Sequence, residues 1–473
     1  MRLLLIDPPP PFDVYREAVV AAPACPSLTM AMLAGAARED GHDVRIADLR
    51  MEADPSGEMR RVISRFQPDF IGFSAFTFTF KPALALARVA RETAPHARLL
   101  LGGVHAQVDT EAAFLDSPFD IVVMGEGEQT LRDLLAGRKP SDVPGVAYRR
   151  GKRFIRTNPR ELIDNLDALN FPAYELFDLE RYNGRQWLWR SERIAMAESS
   201  RGCPFDCSFC SSRLVFGRRW RAKSAERVVS EIIHFLDMGF QEIHFQDDGF
   251  STDLDRAKRI CELILTSGRR FPWELYNGIR VDRADEEFLE LAARAGCYRI
   301  RFGVESGDQA VLDAVGKGTR LDQVRRAFSL ARKYEIETIA LFMFGLPGET
   351  VASMEATNRL ACELPCDFAR ASITIPTPGS RLYEQWNDEH RIVSGNWDDF
   401  HFHFVGRLLF RHPTLSETEI VSAYRRFYRR FYFRPAYWLD RLRIGLRRGT
   451  LWRDVSYFLS KFVLDPLRKR WGA

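Results

Sequence analysis

The sequence predicts an α/β fold: an N-terminal Rossmann-like (flavodoxin-like) parallel sheet, then a partial (β/α)6 TIM-type barrel, then a helical C-terminal extension. Three observations predict it. Short, nearly continuous apolar runs alternate with amphipathic stretches over residues 1–140 and again over 191–390, the pattern of strands buried on both faces of a parallel sheet. At 473 residues the chain favours more than one domain. Past residue 390 the alternation gives way to aromatic and basic residues at helical spacing.

In the first unit the strands are RLLLIDP (2–8), DVRIADL (43–49), FIGFSAF (70–76), ARLLLGG (97–103) and DIVVMGE (120–126), with helices such as SLTMAMLAGAARED (27–40) and PALALARVARET (82–93) between them. Ligands of such sheets sit beyond the carboxyl ends of the strands. Those ends carry Ser74 and Thr77, then Gly102, Gly103 and His105, then Gly125, Glu126 and Gly127. A glycine there lets the backbone approach a bulky ligand, because no Cβ projects from it; glycines also simply end strands. No G-x-G-x-x-G fingerprint is present, which disfavours a nicotinamide dinucleotide and leaves a nucleotide-like or cobalamin-like ligand.

A segment rich in turn residues, 141–190, reads as a linker. Strands then resume at IAMAESS (194–200), QEIHFQDD (241–248), WELYNGI (273–279), YRIRFGVES (298–306), ETIALFMFG (337–345) and ARASITIPT (369–377), with helices such as AERVVSEIIHFLDMG (225–239) and DEEFLELAARAG (285–296). Six such units are two short of a closed eightfold barrel. Working residues of barrels lie on the loops that leave the strands' carboxyl ends. On that face fall QDDG, VESG, GLPGE and PTPGS, and directly after the first strand comes RGCPFDCSFCSS (201–212).

That loop places Cys203, Cys207 and Cys210 within eight positions of a chain with eight cysteines in all. Such spacing in a reducing compartment points to metal binding or catalysis rather than to a disulfide framework. A closed zinc site wants a fourth ligand near by, and His234 and His244 lie on later elements without paired spacing. A plant-type electron carrier wants a fourth cysteine. Three thiolates on a [4Fe–4S] cluster leave one iron open to a small molecule; zinc and three unrelated thiols are the competing readings.

Cys-x3-Cys-x2-Cys, with Phe209 ahead of the last cysteine, resembles the signature of radical S-adenosylmethionine (SAM) enzymes. The resemblance covers about residues 190–385, and FQDDGF (245–250), GVESG (303–307) and FGLPGET (344–350) are similar to further motifs of that family. It implies that the open iron holds the amino and carboxylate groups of SAM. It also implies that Phe209, Asp247, Asp248, Glu305, Ser306, Gly307 and Glu349 surround the cofactor, without saying which of the paired aspartates faces it. GGVHA (102–106) and GEGE (125–128) ahead of the barrel resemble the cobalamin-binding domain of cobalamin-dependent radical SAM enzymes. The strand-end residues of the first unit, Ser74 to Gly127 above, are then expected to contact cobalamin. DGHDVR (40–45) starts like the Asp-x-His-x-x-Gly ligand motif but has Arg45 in place of glycine; it reads as a helix-to-strand turn.

The function implied is C-methylation of an unactivated carbon, with a radical SAM oxidative cyclase as the enzymatic alternative and a non-catalytic iron–sulfur sensor as the rival of another class. The cofactors implied are the [4Fe–4S] cluster, SAM and cobalamin, and the partners a small-molecule or lipid substrate and an external one-electron reductant of flavodoxin or ferredoxin type. Methylthiotransferases also pair a flavodoxin-like domain with a radical SAM barrel, but their first domain holds three cysteines, and only Cys25 precedes residue 200 here. Cys362 and Cys366, four apart, read as core residues.

Net charge is +4 overall, yet residues 411–473 carry fifteen Lys/Arg against five Asp/Glu. SETEIVSAYRRFYRRFYFRP (416–435) opens with a capping box, Ser416 with Glu419, and Ile420, Tyr424, Phe427, Tyr428 and Phe431 form one stripe. That basic, aromatic extension suits packing on the barrel or docking on an anionic membrane surface; no nucleic-acid motif accompanies it. With no secretory leader pattern and no run of about eighteen apolar residues, a cytoplasmic location is expected, with peripheral contact at the inner face of the membrane.

Overall fold

The computed structural model describes residues 1–10, 25–182 apart from 109, 112–113, 115–116 and 152, 189–401 and 407–458. In the first unit β1 (Arg2–Asp7), β2 (Asp43–Asp48), β3 (Phe70–Ser74), β4 (Arg98–Gly102) and β5 (Ile121–Val123) form a parallel sheet in the order β2-β1-β3-β4-β5. Alternate residues of each strand enter opposite cores. Leu3, Leu5, Phe70, Leu100 and Ile121 pack under α1 (Leu28–Glu39). Leu4, Ile6, Ile71, Phe73 and Leu99 pack under α2 (Pro55–Phe66) and α3 (Phe80–Thr93). A fourth helix, α4 (Gly127–Leu135), joins α1 on its face through Leu131 and Leu134.

The sheet runs further than the sequence pattern marks. Hairpin β6 (Val146–Arg150) and β7 (Arg153–Arg156) adds antiparallel to β5, inside the stretch read as linker. Four of its nine residues are arginines and only Val146 and Ala147 are fully buried, so the continuous apolar run that announces a buried strand is missing. Further on in that stretch, residues 171–173 pack on α1. The Ala173 N–H donates to the Ala31 carbonyl at 2.9 Å, and a Cβ at Gly35 would stand 2.5 Å from the Phe171 carbonyl oxygen.

The second unit is a six-stranded, all-parallel sheet, curled as the open barrel the sequence implies. Its strands are β8 (Ile194–Ala197), then, after a short antiparallel pair β9 (Ser200–Arg201) and β10 (Arg221–Ala222), β11 (Glu242–Phe245), β12 (Trp273–Ile279), β13 (Cys297–Glu305), β14 (Glu337–Phe344) and β15 (Phe368–Ile373), in the order β15-β14-β13-β12-β11-β8. Helices α5 (Ala225–Asp237), α6 (Leu254–Thr266), α7 (Glu286–Arg294), α8 (Leu321–Lys333) and α9 (Val351–Glu363) alternate with the strands. Ser224, Asp253, Asp285 and Thr350 each accept an N–H of the first turn of α5, α6, α7 and α9, which fixes where these helices begin.

An open barrel leaves an edge at β15. Helix α10 (Glu417–Tyr432), started by the Ser416–Glu419 capping box, closes it. The Tyr428 hydroxyl donates to the Ala371 carbonyl at 2.9 Å and accepts the Ala371 N–H at 3.1 Å. Tyr432 does the same for Ala369 at 2.8 and 3.2 Å. Ile420, Phe427 and Phe431 are buried beneath. Helices α11 (Pro435–Arg448) and α12 (Leu451–Phe458) follow; the rest of the basic tail lies outside the described residues.

Candidate functional site

The cysteine loop leaves β9 through Gly202, whose φ of 81° and whose approach to the Arg219 carbonyl, 2.5 Å from an added Cβ, both require glycine. Two distant segments pin its backbone. The Ser208 N–H donates to the Val315 carbonyl at 2.9 Å, and the Ser208 carbonyl accepts from Leu382 N–H at 2.9 Å. Phe205 lies under the Arg280 guanidinium, 3.7 Å from ring centre. Cys203, Cys207 and Cys210 are half-buried and free. Burial pushes the Cys203 and Cys207 thiols above the usual range, so ionised sulfur here needs a cation to hold it.

Among the described residues no three His, Cys, Asp or Glu side chains crowd round a single ion point. Three cysteine sulfurs supplied by one loop are the donor set that a [4Fe–4S] cluster with one open iron would take. Neither histidine considered as a fourth ligand is at hand. His244 is fully buried among the strands, 2.7 Å from Glu242 and 3.4 Å from Glu274, and His234 on α5 packs against Phe171. Cys261, Cys297 and Cys366 are buried in the core.

The paired aspartates part company. Asp247 is buried and accepts from the Ser199 N–H at 3.1 Å and from the Ser199 and Ser200 hydroxyls at 2.6 Å each. It ties the end of β11 to the junction of β8 and β9. Asp248 is exposed at the strand end and hydrogen-bonds to no described side chain. It is the member free to meet a ligand.

Glu305 ends β13 in the left-handed region, φ 66°, after a bulge at Gly303. A strained, buried carboxylate of this kind needs support, and Lys317 Nζ donates to it at 2.7 Å. Burial opposes the charge on Lys317, but Glu305 and then Cys207 hold its ammonium above the usual lysine range. Lys317 stands between Gly316 and Gly318, and Gly316 brings this turn within 3.0 Å of the Asp206 carbonyl oxygen, as measured from an added Cβ. Ser306 and Gly307 face away toward α9. The Gly307 N–H donates to Thr357 Oγ1 at 2.8 Å, and a Cβ at Gly307 would meet the Ala356 carbonyl at 2.6 Å.

Glu349 is fully buried. Its Oε2 accepts from the Gly345 and Leu346 N–H groups at 2.5 and 3.1 Å, while Oε1 has no protein partner. Desolvation pushes its carboxyl up to about 8. Phe209 is half-buried against Val311, Val315 and Leu346.

At the carboxyl ends of β1 and β2, Asp7 and Asp48 pair with Arg50; at those of β4 and β5 there is space instead. An added Cβ at Gly102 would meet nothing closer than 3.9 Å, and at Gly125 nothing within 4 Å. Packing of the chain itself does not demand glycine at 102, so the clearance suits a broad flat ligand such as a corrin. Phe76, 58% exposed, stacks on Phe78 at 5.8 Å beside this space. Ser74 is half-buried at the end of β3, and Thr77 is buried in the turn that follows. Gly103 is held by the turn itself, with φ 92° and 2.6 Å from an added Cβ to the Ala75 carbonyl oxygen. Gly127 opens α4 with Leu33 3.0 Å from its added Cβ. His105 is buried within the first domain, its ring 4.1 Å from that of Phe80 and 5.4 Å from that of Trp397. The turn at residues 40–45 leads into the amino end of β2, the end away from this face.

Glu126 turns from the open face toward the barrel. It accepts from Ile163 N–H at 2.7 Å, Arg201 Nη1 at 2.7 Å and Arg221 Nη1 at 2.9 Å. Glu128 accepts from Arg201 Nη2 at 2.5 Å; burial works against its charge, but Arg201 holds its carboxyl below the usual range. Lys317, Ser199, Ser200, Phe76 and this arginine cluster were not picked out by motif. A lysine between two glycines and the serine pair beside the first cysteine were the available signals.

Two family models match the chain: the Radical SAM superfamily over residues 198–361 and the B12 binding domain over residues 18–135. An uncharacterised methyltransferase of Pyrococcus horikoshii is 32% identical over 92% of this chain and 93% of the relative. The anaerobic magnesium-protoporphyrin IX monomethyl ester cyclase of Rubrivivax gelatinosus is 28% identical over 92% and 78%, and the hopanoid C-3 methylase of Methylococcus capsulatus 30% over 78% and 69%. Among solved structures, the radical SAM methyltransferase TsrM of Kitasatospora setae shares the fold, with a TM-score of 0.73 at 18% identity over 92% of this chain and 89% of that one.

Proposed function

The chain belongs to the radical SAM family that carries a B12-binding domain, and from that premise we propose that it is a C-methyltransferase acting on an unactivated carbon. It is a radical SAM enzyme whose cofactors are SAM, a [4Fe–4S] cluster and cobalamin. When bound, these groups supply a 5′-deoxyadenosyl radical and a transferable methyl group. In this reading Cys203, Cys207 and Cys210 hold the cluster. Asp248 and Glu305 accept from the hydroxyl and ammonium groups of SAM, Lys317 holds Glu305 in place through its hydrogen bond, and Phe209 and Glu349 wall the cofactor. Gly102, Gly125 and Phe76 give the corrin its flat seat.

The observation that carries the proposal is the meeting of the two faces. The short helix Arg213–Phe216, directly after the cysteine loop, packs on His105–Val108 at the open end of the first sheet. A substrate between them is within reach of both cofactors and shielded from water. Anaerobic reconstitution with a low-potential reductant and methyl-deuterated SAM tests it. Both 5′-deoxyadenosine and S-adenosylhomocysteine are expected, with the label in the product. 5′-Deoxyadenosine without S-adenosylhomocysteine selects the oxidative cyclase instead, and neither product selects the sensor.

Two partners complete the reading. A flavodoxin- or ferredoxin-type protein supplies the electron. The C-terminal extension docks on the anionic inner face of the membrane, and the protein is otherwise cytoplasmic; among the described residues no helix is long and apolar enough to cross a bilayer. Helix α11 has two apolar sides. Tyr437 and Ile444 pack inward, whereas Leu439, Leu442 and Leu446 form an exposed stripe bordered by Arg443 and Arg447. From residue 433 onward there are ten Lys/Arg against three Asp/Glu, a charge that attracts anionic lipid and repels a second copy. Asp440 pairs with Arg332 and Arg441 with Asp367, so this stripe lies by the amino ends of the barrel strands. The bilayer then anchors the enzyme without blocking its cleft. Leu442→Glu with Leu446→Glu is expected to abolish co-sedimentation with phosphatidylglycerol vesicles; equal pelleting of the variant refutes the docking.

A further inference from the structure

The buried charges between the domains do more than glue them. Arg201 spends its three nitrogens on three carboxylates: Nη1 on Glu126 at 2.7 Å, Nη2 on Glu128 at 2.5 Å and Nε on Glu198 at 2.7 Å. Its side chain is 3% exposed, as is that of Arg221, which adds a second guanidinium on Glu126. Glu126 and Glu128 belong to the first domain; Glu198, Arg201 and Arg221 belong to the barrel unit. Removing three carboxyl groups and two guanidinium groups from water is costly, and apolar side chains of like volume would hold two domains at least as firmly. A planar fork with fixed nitrogen directions adds geometry: a rotation or slide of one domain takes Glu126 and Glu128 out of line.

The covalent neighbours say which geometry is held. Arg201 is separated from the cluster ligand Cys203 by Gly202 alone, which is itself wedged against the Arg219 backbone. Glu126 sits between Gly125, at the open face of the first sheet, and Gly127, the first residue of α4. The two faces that bear the cofactors are thus tied through a few rigid residues to one guanidinium.

We infer that Arg201 is a positioning residue that sets the spacing between the corrin face and the cluster–SAM face, and with it the fraction of substrate radicals that receive a methyl group. The inference rests on the proposed function. A carbon that must be reached first by a radical and then by a methyl donor tolerates little misplacement, since about 1 Å can cost about a hundredfold in rate. Loss of the fork leaves radical formation, which needs the barrel alone, and impairs the handover.

Arg201→Lys keeps one charge but cannot serve three carboxylates, Glu128→Gln loosens only an arm to the first domain, and Glu198→Gln loosens only the arm inside the barrel unit. Iron and corrinoid content, the dipolar distance between cob(II)alamin and the reduced cluster by electron paramagnetic resonance, and the ratio of 5′-deoxyadenosine to methylated product are measured on each. For R201K and E128Q the expected result is retained cofactors, a shifted or broadened distance and a ratio raised about tenfold, with E198Q close to wild type. A wild-type distance and ratio in both R201K and E128Q overturns the inference, as does an equal fall of both products at unchanged distance. Amide exchange over residues 125–135 of the cofactor-free protein separates this from failure of the functional reading. If the wild type takes up no corrinoid, that reading falls, while faster exchange in E128Q than in E198Q still supports the pin and equal exchange still overturns it.

Discussion

The strand ends of the barrel and those of β4 and β5 in the first sheet obey one topological rule and present opposite surfaces. On the barrel, Asp247, Glu305 and Glu349 are buried carboxylates, tied to serines, to Lys317 and to backbone N–H groups respectively, with only Asp248 left open. On the first sheet, Gly102 and Gly125 offer clearance and Phe76 offers a bare ring. A small charged ligand is recognised by directed acceptors whose own rotamers are locked. A broad macrocycle is recognised by area, and area requires that side chains be absent. A site is therefore as legible in what the chain omits as in what it supplies.

Removing one of the three proposed cluster ligands tests the barrel half most severely: Cys203→Ala, Cys207→Ala or Cys210→Ala is expected to lose the visible absorbance of the cluster and all 5′-deoxyadenosine. Lys317→Met leaves Glu305 buried and unpaired, so a loss of about 3–5 kcal/mol in urea unfolding is expected; an unchanged midpoint would show that the pair does not support the strained end of β13. On the first sheet the prediction reverses. Gly102→Leu adds a side chain whose Cβ meets no protein atom closer than 3.9 Å, so thermal stability is expected to stay near wild type while corrinoid affinity falls about tenfold or more. Should stability collapse with corrin binding intact, the glycine serves packing and the contrast between the two surfaces fails. Away from both, Tyr428→Phe strips the edge of β15 of one donor–acceptor and is expected to cost about 1–3 kcal/mol without altering cofactor content.

The smallest effect is a slope. With its carboxyl raised from 4.5 to about 8, Glu349 keeps a proton in the folded, SAM-free protein that the unfolded chain releases above about pH 4.5. Its contribution to stability is full below that pH and declines as pH rises to about 8. Glu349→Gln should flatten this decline in unfolding midpoints taken between pH 5 and 8.5 (roughly the window the shift defines); an unaltered slope assigns the titration elsewhere.

Periodicity made the parallel strands legible to within a few residues, and the cysteine spacing singled out the loop between β9 and β10. The capping box at Ser416 and the stripe from Ile420 to Phe431 foretold α10, though not that its tyrosines would pair with a strand edge. What stayed hidden depends on partners remote in sequence. The β6–β7 hairpin is too polar to read as a strand. The choice between Asp247 and Asp248 is made by Ser199 and Ser200, and Arg201 reads as a flank of the motif until Glu126 and Glu128 arrive from another domain.

Electron–nuclear double resonance on the reduced cluster, with SAM labelled by nitrogen-15 at its amino group and oxygen-17 at its carboxylate, tests the central claim most directly. Hyperfine coupling to both labels is the predicted result, lost when SAM is omitted. A cluster that shows neither coupling, with its fourth iron held by a side chain of this protein, would contradict it.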